Sequence, residues 1–374
     1  MLSILVPLAL LISFVLTWKL WIGTRLYPMT PVISVPFLIF PFDYILFAIL
    51  LLLLLCSVIS WYFRNHTVYI ICCSIILLLG LLDQMRWQPY IYQYLFMLGT
   101  LIFCFGKNKA FHTVSALHTC RIILASTYFW SGAQKLNVSF MDKTIYWLFD
   151  PPLFHNFLFL APYIWFIFPL LEISIGAGLF FVRTRRTALI GAVSMHLFIL
   201  FLLGILKHNL LYVVWVWNIY FALFTIVLFW DEKSDCKEIF SHKIYSYKTI
   251  VILLFTIMPV LGIFHIIDSN LSAAFYSGNL IEATLYLKEG ALLQQPPEIR
   301  RHIQHDSSLD IRSWAYTDFG IYIYPELRIY KSIAKSFCGK QGDVQLYIEN
   351  KPQLWSSKRS TDVFVCADLV HEKK

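Results

Sequence analysis

Charged residues are scarce in this chain of 374 residues, in which Asp, Glu, Lys and Arg together make up only 14%. Hydrophobic residues reach 59% and aromatic residues 17%. Because a soluble domain cannot bury so much apolar surface, the composition excludes an ordinary soluble protein and predicts a polytopic membrane protein. The net charge of +8 does not indicate nucleic-acid binding, since the basic residues lie in short loops between apolar segments and act as topology signals.

The cysteines lack the spacing of a metal or redox site. Six of the eight cysteines lie in or near apolar segments or their loops and form no C-x-x-C pair, so we expect no metal centre. These six are Cys56, Cys72, Cys73, Cys104, Cys120 and Cys236. Cys338 and Cys366 are alone in the C-terminal part and are candidates for a disulfide in an oxidising compartment. Whether they pair stays open, because the sequence does not give the required geometry.

The N-terminus has neither a basic region nor a cleavage site of small residues, which favours a retained first helix over a signal peptide. Apolar windows long enough to cross a bilayer predict about nine membrane helices in a mainly α bundle over residues 1–266. The windows are 2–18, 43–63, 67–82, 90–106, 114–133, 158–182, 187–206, 210–230 and 249–266.

Basic residues such as Arg64 and Arg183 follow the even-numbered windows. They predict an N-terminus inside and a C-terminus outside, with the loops at Asp83 and Lys135 on the outer face. After residue 266 the sequence becomes more polar and shows alternating segments such as V-Q-L-Y-I-E. Residues 267–374 are therefore predicted to form a small α+β extracytoplasmic domain.

Three ionisable residues lie at membrane depth, where a charge is costly. Arg121 is in the fifth window, Glu172 in the sixth and His196 in the seventh. They form either a polar pocket that binds a headgroup or relays protons, or hydrogen bonds that join helices, and Arg121 alternatively extends to the membrane surface. Gly176 and Gly178 are expected to permit close approach of helices.

Polar residues also gather at the predicted outer ends of the helices. They are Asp83, Arg86, Trp87 and Tyr90, then Lys135 and Asn137, and then His208. Two interpretations of Lys135 stay open at this point. It is either an anchor at the membrane surface or an amine that becomes a base when it loses contact with water.

Two motifs carry a resemblance to a known family. L-L-D-Q-M-R-W-Q-P-Y-I-Y-Q-Y-L-F at 81–96 and R-I-I-L-A-S-T-Y-F-W-S-G-A-Q-K-L-N at 121–137 resemble segments of the membrane part of the vitamin K-dependent gamma-carboxylase family, which is called the HTTM domain. The resemblance implies that Lys135 is the catalytic base, with Asp83, Trp87 and Arg121 as supporting residues that bind the cofactor.

The resemblance also implies a reaction. The base deprotonates a vitamin K hydroquinone, which reacts with oxygen and drives carboxylation of a glutamate. Tyr90 stands where the family has a histidine, which favours a related quinol- and oxygen-linked modification of a peptide or protein at the outer face. We expect a lipid quinol of the vitamin K or menaquinone type between the helices, near Glu172 and His196, while Arg86, Tyr90, Asn137 and His208 face the substrate.

A second function stays open. The stretch P-L-L-E-I-S-I-G-A-G-L at 169–179 is similar to the DoxX-like group of quinone-linked membrane subunits, and one bacterial HTTM protein helps to mature a secreted peptide. The chain is then a non-enzymatic subunit or adaptor in a bacterial cytoplasmic membrane. Its expected partners are membrane lipids, a secreted peptide or protein, and a membrane or extracytoplasmic protein.

Overall fold

The computed structural model describes residues 1–32, 41–104, 109–206, 211–241, 246–338 and 344–371. It is mainly helical, with 65% helix and 6% strand. The longer helices of the N-terminal part are α1 (Leu2–Leu16), α2 (Phe42–Ile59), α3 (His66–Leu82), α4 (Pro89–Ile102), α5 (Lys109–Ala133), α8 (Ile167–Phe180), α9 (Arg185–Leu200) and α10 (Tyr212–Phe229). The shorter ones are α6 (Ile145–Phe149), α7 (Ala161–Ile164), α11 (Cys236–Phe240), α12 (Tyr247–Val251) and α13 (Val260–Ile263).

Three helices in the described ranges are long and apolar enough to cross a membrane: Phe42–Ile59, Arg185–Leu203 and Tyr212–Phe229. A fourth span arises if the two helices His155–Ile164 and Ile167–Phe180, which meet at an angle of 63°, are counted as one. The window 158–182 is therefore bent where a single straight helix was expected. The count of nine membrane helices stays a prediction.

Glycines set the distance between three central helices. A Cβ atom on Gly132 would lie 2.5 Å from the carbonyl oxygen of Pro169, and one on Gly176 would lie 2.4 Å from the backbone nitrogen of Phe129. Helices α5 and α8 therefore touch backbone to backbone at two levels, as small residues allow in membrane proteins. A Cβ atom on Gly178 would lie 2.9 Å from the Cβ atom of Ala188 in α9. The close approach of helices predicted at Gly176 and Gly178 is therefore confirmed.

The C-terminal part contains the four described strands, in the order β2-β1-β3-β4, all antiparallel. The strands are β1 (Glu282–Leu287), β2 (Ser308–Asp310), β3 (Val344–Glu349) and β4 (Thr361–Val365). Its helices are α14 (Glu289–Leu293), α15 (Pro297–Arg300), α16 (Ile311–Phe319), α17 (Leu327–Lys335) and α18 (Cys366–His371). Alternate residues of β1 and β3 are buried, including Leu285 opposite Leu346, which gives the sheet one apolar face for α17.

The sheet domain packs on one end of the helical part. Tyr27, in the loop after α1, contacts Trp314 with ring centroids 4.4 Å apart and the ring planes tilted by 47°. Gln84, in the loop after α3, accepts a hydrogen bond from Arg328 at 2.8 Å. Val138, after α5, donates a backbone hydrogen bond to the C-terminal part at 3.2 Å. The loops that follow α1, α3 and α5 therefore share one end of the molecule with the sheet domain.

Cys338 and Cys366 form a disulfide, with an S–S distance of 2.19 Å. The bond joins the end of α17 to the start of α18. It therefore fastens the last helix to the sheet domain, and the pairing that the sequence left open is present.

Candidate functional site

Lys135 lies just beyond the C-terminus of α5 and is buried. Its Nζ donates to Oε2 of Glu172 at 2.7 Å, and to the carbonyl and hydroxyl oxygens of Ser131 at 3.1 and 2.7 Å. An ammonium has three hydrogens, so these three acceptors use all of them. The contacts of α5 with α8 at Gly132 and Gly176 bring the two charged residues together across the helix interface.

The ion pair is part of the wall of a cavity of about 160 Å³, which we call the membrane cavity. His196 lines the same cavity. Three residues expected at membrane depth or at a helix end therefore meet here: Lys135, Glu172 and His196. Most of the remaining wall is apolar and aromatic, with residues such as Phe140 and Phe168. The arrangement suits a ligand with a large apolar body and a few polar groups.

A second polar group in this wall centres on Tyr128. Its hydroxyl lies 2.6 Å from Nε2 of His196 and 3.0 Å from the hydroxyl of Thr225. Nδ1 of His196 lies 2.8 Å from Oδ1 of Asn218. Tyr128, Ser131 and Thr225 were not predicted as site residues from the sequence. Helical spacing could have identified the first two, because Tyr128 and Ser131 precede Lys135 by seven and four residues and so share its helix face.

The membrane cavity reaches the outer surface of the bundle between α8 and α9. Leu171 and Phe198 both line the cavity, yet their residues are 41% and 38% exposed. At the other end these two helices are packed closely, through Gly178 and Ala188. Leu171 and Phe198 therefore lie where the cavity approaches the apolar outer surface of α8 and α9.

A larger cavity of about 400 Å³, the interface cavity, lies between the bundle and the sheet domain. Both cavities are lined by the same five residues, Thr144, Trp147, Trp217, Phe275 and Tyr276. Trp147 and Tyr276 stack with centroids 5.9 Å apart. Burial, with a smaller contribution from Tyr322, raises the pKa of Tyr276 well above its ordinary value, so this hydroxyl stays protonated.

Tyr276 has a φ of 53°. This left-handed conformation is unfavourable for a bulky residue and persists only where the surroundings enforce it. Gly278, two residues later, has a φ of 71°, and a Cβ there would lie 2.6 Å from the hydroxyl oxygen of Thr144. The chain around Tyr276 is therefore held firmly between the two cavities.

Arg86 does not face a substrate as expected. It is 0% exposed, and its guanidinium donates to the carbonyl oxygens of Leu20 and Leu79 at 3.1 and 3.0 Å. Asp43 and Asp83 lie near it, each 3.9 Å from a guanidinium nitrogen. Arg86 therefore has a structural role, because its side chain is buried among protein groups and the sheet domain covers the loop that carries it.

Asp83 and Trp87 belong to the same covered loop. Asp83 accepts hydrogen bonds from the backbone and hydroxyl of Thr30 at 3.1 and 2.9 Å and pairs with Arg25. Burial would raise the pKa of Asp83, but Arg25 and Arg86 outweigh it and hold that pKa below its ordinary value. The Trp87 indole packs against Gly80. Neither Asp83 nor Trp87 is among the described residues that line the membrane cavity, so their expected role at a cofactor is not supported.

Two other site candidates, Arg121 and Asn137, are placed elsewhere. Arg121 pairs with Glu232, and it lies fourteen residues before Lys135 on α5, or about 21 Å along a helix. Asn137 is buried and caps the next turn, accepting from the backbone nitrogen of Phe140 at 2.9 Å. Arg121 therefore does not support Lys135 directly, and Asn137 does not face a substrate.

Tyr90 is 3% exposed and lines the interface cavity, so the hydroxyl is covered where an accessible position was expected. His208 lies outside the residues that the structure describes.

No protein-family model, no curated protein and no solved structure matches the chain. The resemblance to the gamma-carboxylase membrane part therefore stays a prediction.

Proposed function

We propose that the chain is an integral membrane protein whose membrane cavity binds a lipid quinol and takes a proton from one of its hydroxyls at the Lys135–Glu172 pair. The observation that carries the proposal is this buried ion pair in the wall of an otherwise apolar cavity. Among the described residues, Oε1 of Glu172 accepts no hydrogen bond, so a carboxylate oxygen is available to a ligand hydroxyl.

The pair, and not the lysine alone, is the proton-accepting group in this proposal. All three ammonium hydrogens of Lys135 are donated within the protein. Lys135 therefore holds Glu172 in position and stabilises its negative charge. The ligand proton goes to Glu172 in this proposal, because Lys135 is already an ammonium with three hydrogens and cannot accept another.

The ligand is proposed to come from the lipid phase. We propose an opening between Leu171 and Phe198, two apolar cavity residues that are partly exposed and that acyl chains of a bilayer would contact. In the full proposal about nine helices span a bacterial cytoplasmic membrane with the N-terminus inside, and the sheet domain is extracytoplasmic. The membrane cavity then lies towards the outer leaflet, since Lys135 is at the end of α5 nearest the sheet domain.

The bound quinol would react with oxygen, and that reaction would drive the modification of a peptide or protein substrate. The interface cavity offers space for such a substrate, because it adjoins the membrane cavity through Trp147 and Tyr276. Residues of the chain would bind, orient and shield the reactants. The stacked rings of Trp147 and Tyr276, which line both cavities, would limit the access of water to the ion pair.

The alternative is a non-enzymatic subunit or adaptor for the maturation or export of a secreted peptide. One observation favours it: Lys135 is fully satisfied by protein groups, as an ion pair that only joins α5 to α8 would be. In that case the cavity binds a lipid or quinone without proton transfer.

The test compares two matched carboxylates. Glu172→Gln removes the charge at the cavity, while Glu232→Gln removes a similarly buried carboxylate that pairs with Arg121 at the far end of α5. Binding of a short-chain menaquinol analogue to the purified protein is measured under anaerobic conditions. We expect Glu172→Gln to weaken binding about tenfold, since hydrogen bonds to charged groups contribute about 1.5–3 kcal/mol, and Glu232→Gln to leave binding unchanged. Equal binding by both variants and the parent protein would overturn the proposal.

A further inference from the structure

Tyr128, His196 and Asn218 form a buried chain of hydrogen bonds that joins α5, α9 and α10 in the wall of the membrane cavity. The proton-accepting role proposed above uses none of them. Polar side chains in an apolar, buried setting are expensive unless each finds a partner, so the direction of each hydrogen bond can be worked out from its neighbours.

The order of donors starts at Asn218. Its amide nitrogen donates to the carbonyl oxygen of Val214 at 2.8 Å, so its Oδ1 is the atom that accepts from Nδ1–H of His196. A neutral imidazole carries one hydrogen, and its Nε2 is then an acceptor. The Tyr128 hydroxyl must therefore donate to Nε2 of His196, at 2.6 Å.

This order of donors makes Tyr128 a hydrogen-bond acceptor on the side that faces the cavity. Its only hydrogen is directed to His196, so the phenol oxygen offers lone pairs. The Thr225 hydroxyl lies 3.0 Å from the phenol oxygen and 2.7 Å from the carbonyl oxygen of Phe221, so it donates to one of these two acceptors and leaves at least one lone pair of Tyr128 available. Tyr128 is thus an acceptor for a ligand, as is Oε1 of Glu172.

The two acceptors lie on one side of the cavity. Tyr128 and Lys135 are seven residues apart, along the end of α5 and the turn that follows it, which is about 10 Å if helical spacing continues. The Lys135 side chain turns back towards Ser131, which brings the ion pair closer to the level of Tyr128. Apolar side chains, including Ile199 and Phe221, occupy the wall around them.

We infer that Tyr128, oriented by His196 and Asn218, is a second ligand-binding group that accepts a hydrogen bond from the far hydroxyl of an aromatic diol whose near hydroxyl binds Glu172. The inference rests on the proposed function and adds a specificity to it. Two acceptors favour the reduced, dihydroxy form of the ligand over the oxidised form, whose carbonyl oxygens cannot donate. His196 and Asn218 are positioning residues, because they act through Tyr128.

The experiment measures the ratio of two affinities. A short-chain naphthoquinone is titrated into the purified full-length protein in both redox states, with the reduced form kept anaerobic. We expect the parent protein to prefer the reduced form about five- to tenfold, in line with one or two hydrogen bonds. Tyr128→Phe should bring this ratio close to the value set by Glu172 alone and leave the affinity for the oxidised form unchanged.

The matched control is Tyr94→Phe, which removes the hydroxyl of another buried tyrosine that does not line the membrane cavity. It should not change the ratio. Since Tyr128→Phe can impair folding, the unmodified protein is also titrated with the two monomethyl ethers of the naphthoquinol. Each ether should bind less tightly than the diol, because each blocks one donor.

The outcomes separate the two proposals. An unchanged affinity ratio in Tyr128→Phe, or one monomethyl ether that binds as tightly as the diol, overturns the second subsite while leaving Glu172 in place. If the protein binds neither the reduced nor the oxidised naphthoquinone, the proposed function is overturned as well. A loss of binding in Glu172→Gln together with an unchanged ratio in Tyr128→Phe shows that only the first site exists.

Discussion

Nζ of Lys135 lies 2.7 Å from Oε2 of Glu172, although 37 residues separate them in the chain. The backbone contact between α5 and α8 makes this possible, since Gly132 and Gly176 leave no room for a side chain at the crossing. The position of the ion pair therefore depends on two glycines that carry no chemistry of their own.

The first prediction concerns this crossing. Gly176→Ala would place a Cβ 2.4 Å from the backbone nitrogen of Phe129, where only a movement of the whole helix relieves the clash. We expect a large loss of thermal stability in detergent. Gly191→Ala is the matched control, because its Cβ would lie 3.4 Å from the Ile175 side chain and should be tolerated. Equal melting temperatures for the two variants would contradict the close packing of α5 on α8.

The ion pair itself should behave as a buried pair. The side chains of Lys135 and Glu172 are 8% and 13% exposed. Removing one partner leaves an uncompensated buried charge, which typically destabilises by about 3–5 kcal/mol. We expect Lys135→Met and Glu172→Gln each to lower the melting temperature, and Lys135→Met/Glu172→Leu to recover much of the loss. A double variant whose loss equals the sum of the two single losses would argue against a direct interaction.

The membrane residues of the site could be predicted from the sequence, but the contacts between them could not. Glu172 and His196 are conspicuous because charge is rare in apolar segments. That Glu172 meets Lys135 depends on the relative height of α5 and α8, which hydropathy does not encode. Arg86 was misjudged for a related reason. Its loop has the polarity of an exposed segment, yet the sheet domain covers it.

The contact between the segment that follows α13 and the start of α17 should weaken in acid. Asp268 accepts from Arg328 and, at 2.6 Å, from Tyr324. Burial would raise the pKa of Asp268, but these hydrogen bonds outweigh it and lower the pKa below its ordinary value. A lowered pKa means that the stabilisation is complete above about pH 5 and is lost as the pH falls through the folded-state pKa.

The measurement compares the parent protein with Asp268→Asn by thermal unfolding between pH 3 and pH 7. The parent protein should be the more stable at pH 7, and the difference should shrink below about pH 4. Glu298→Gln, in α15, serves as the control, because no ion pair is formed by Glu298 in the described structure. A difference that stays constant over this pH range would contradict the role of Asp268.

The opening between α8 and α9 can be tested by cysteine labelling in a background without the six free cysteines. Cysteines at Leu171 and Phe198 should react with a membrane-soluble maleimide, and a bound naphthoquinone should protect them. Leu170 is the control, since it is 46% exposed but does not line the cavity, so its cysteine should react with or without the ligand. Equal protection at Leu170 and Leu171 would show that the ligand acts through a general conformational change.

The disulfide provides a test of orientation. If the sheet domain is extracytoplasmic, a membrane-impermeant maleimide should label Cys338 and Cys366 in intact cells after mild reduction and leave them unlabelled without it. Cys236 is the internal comparison, because it follows α10 at the end of the bundle where Arg121 meets Glu232. It should react only after the membrane is permeabilised. Labelling of Cys236 in intact cells, with protection of the reduced Cys338 and Cys366, would reverse the predicted topology and place the ion pair towards the inner leaflet.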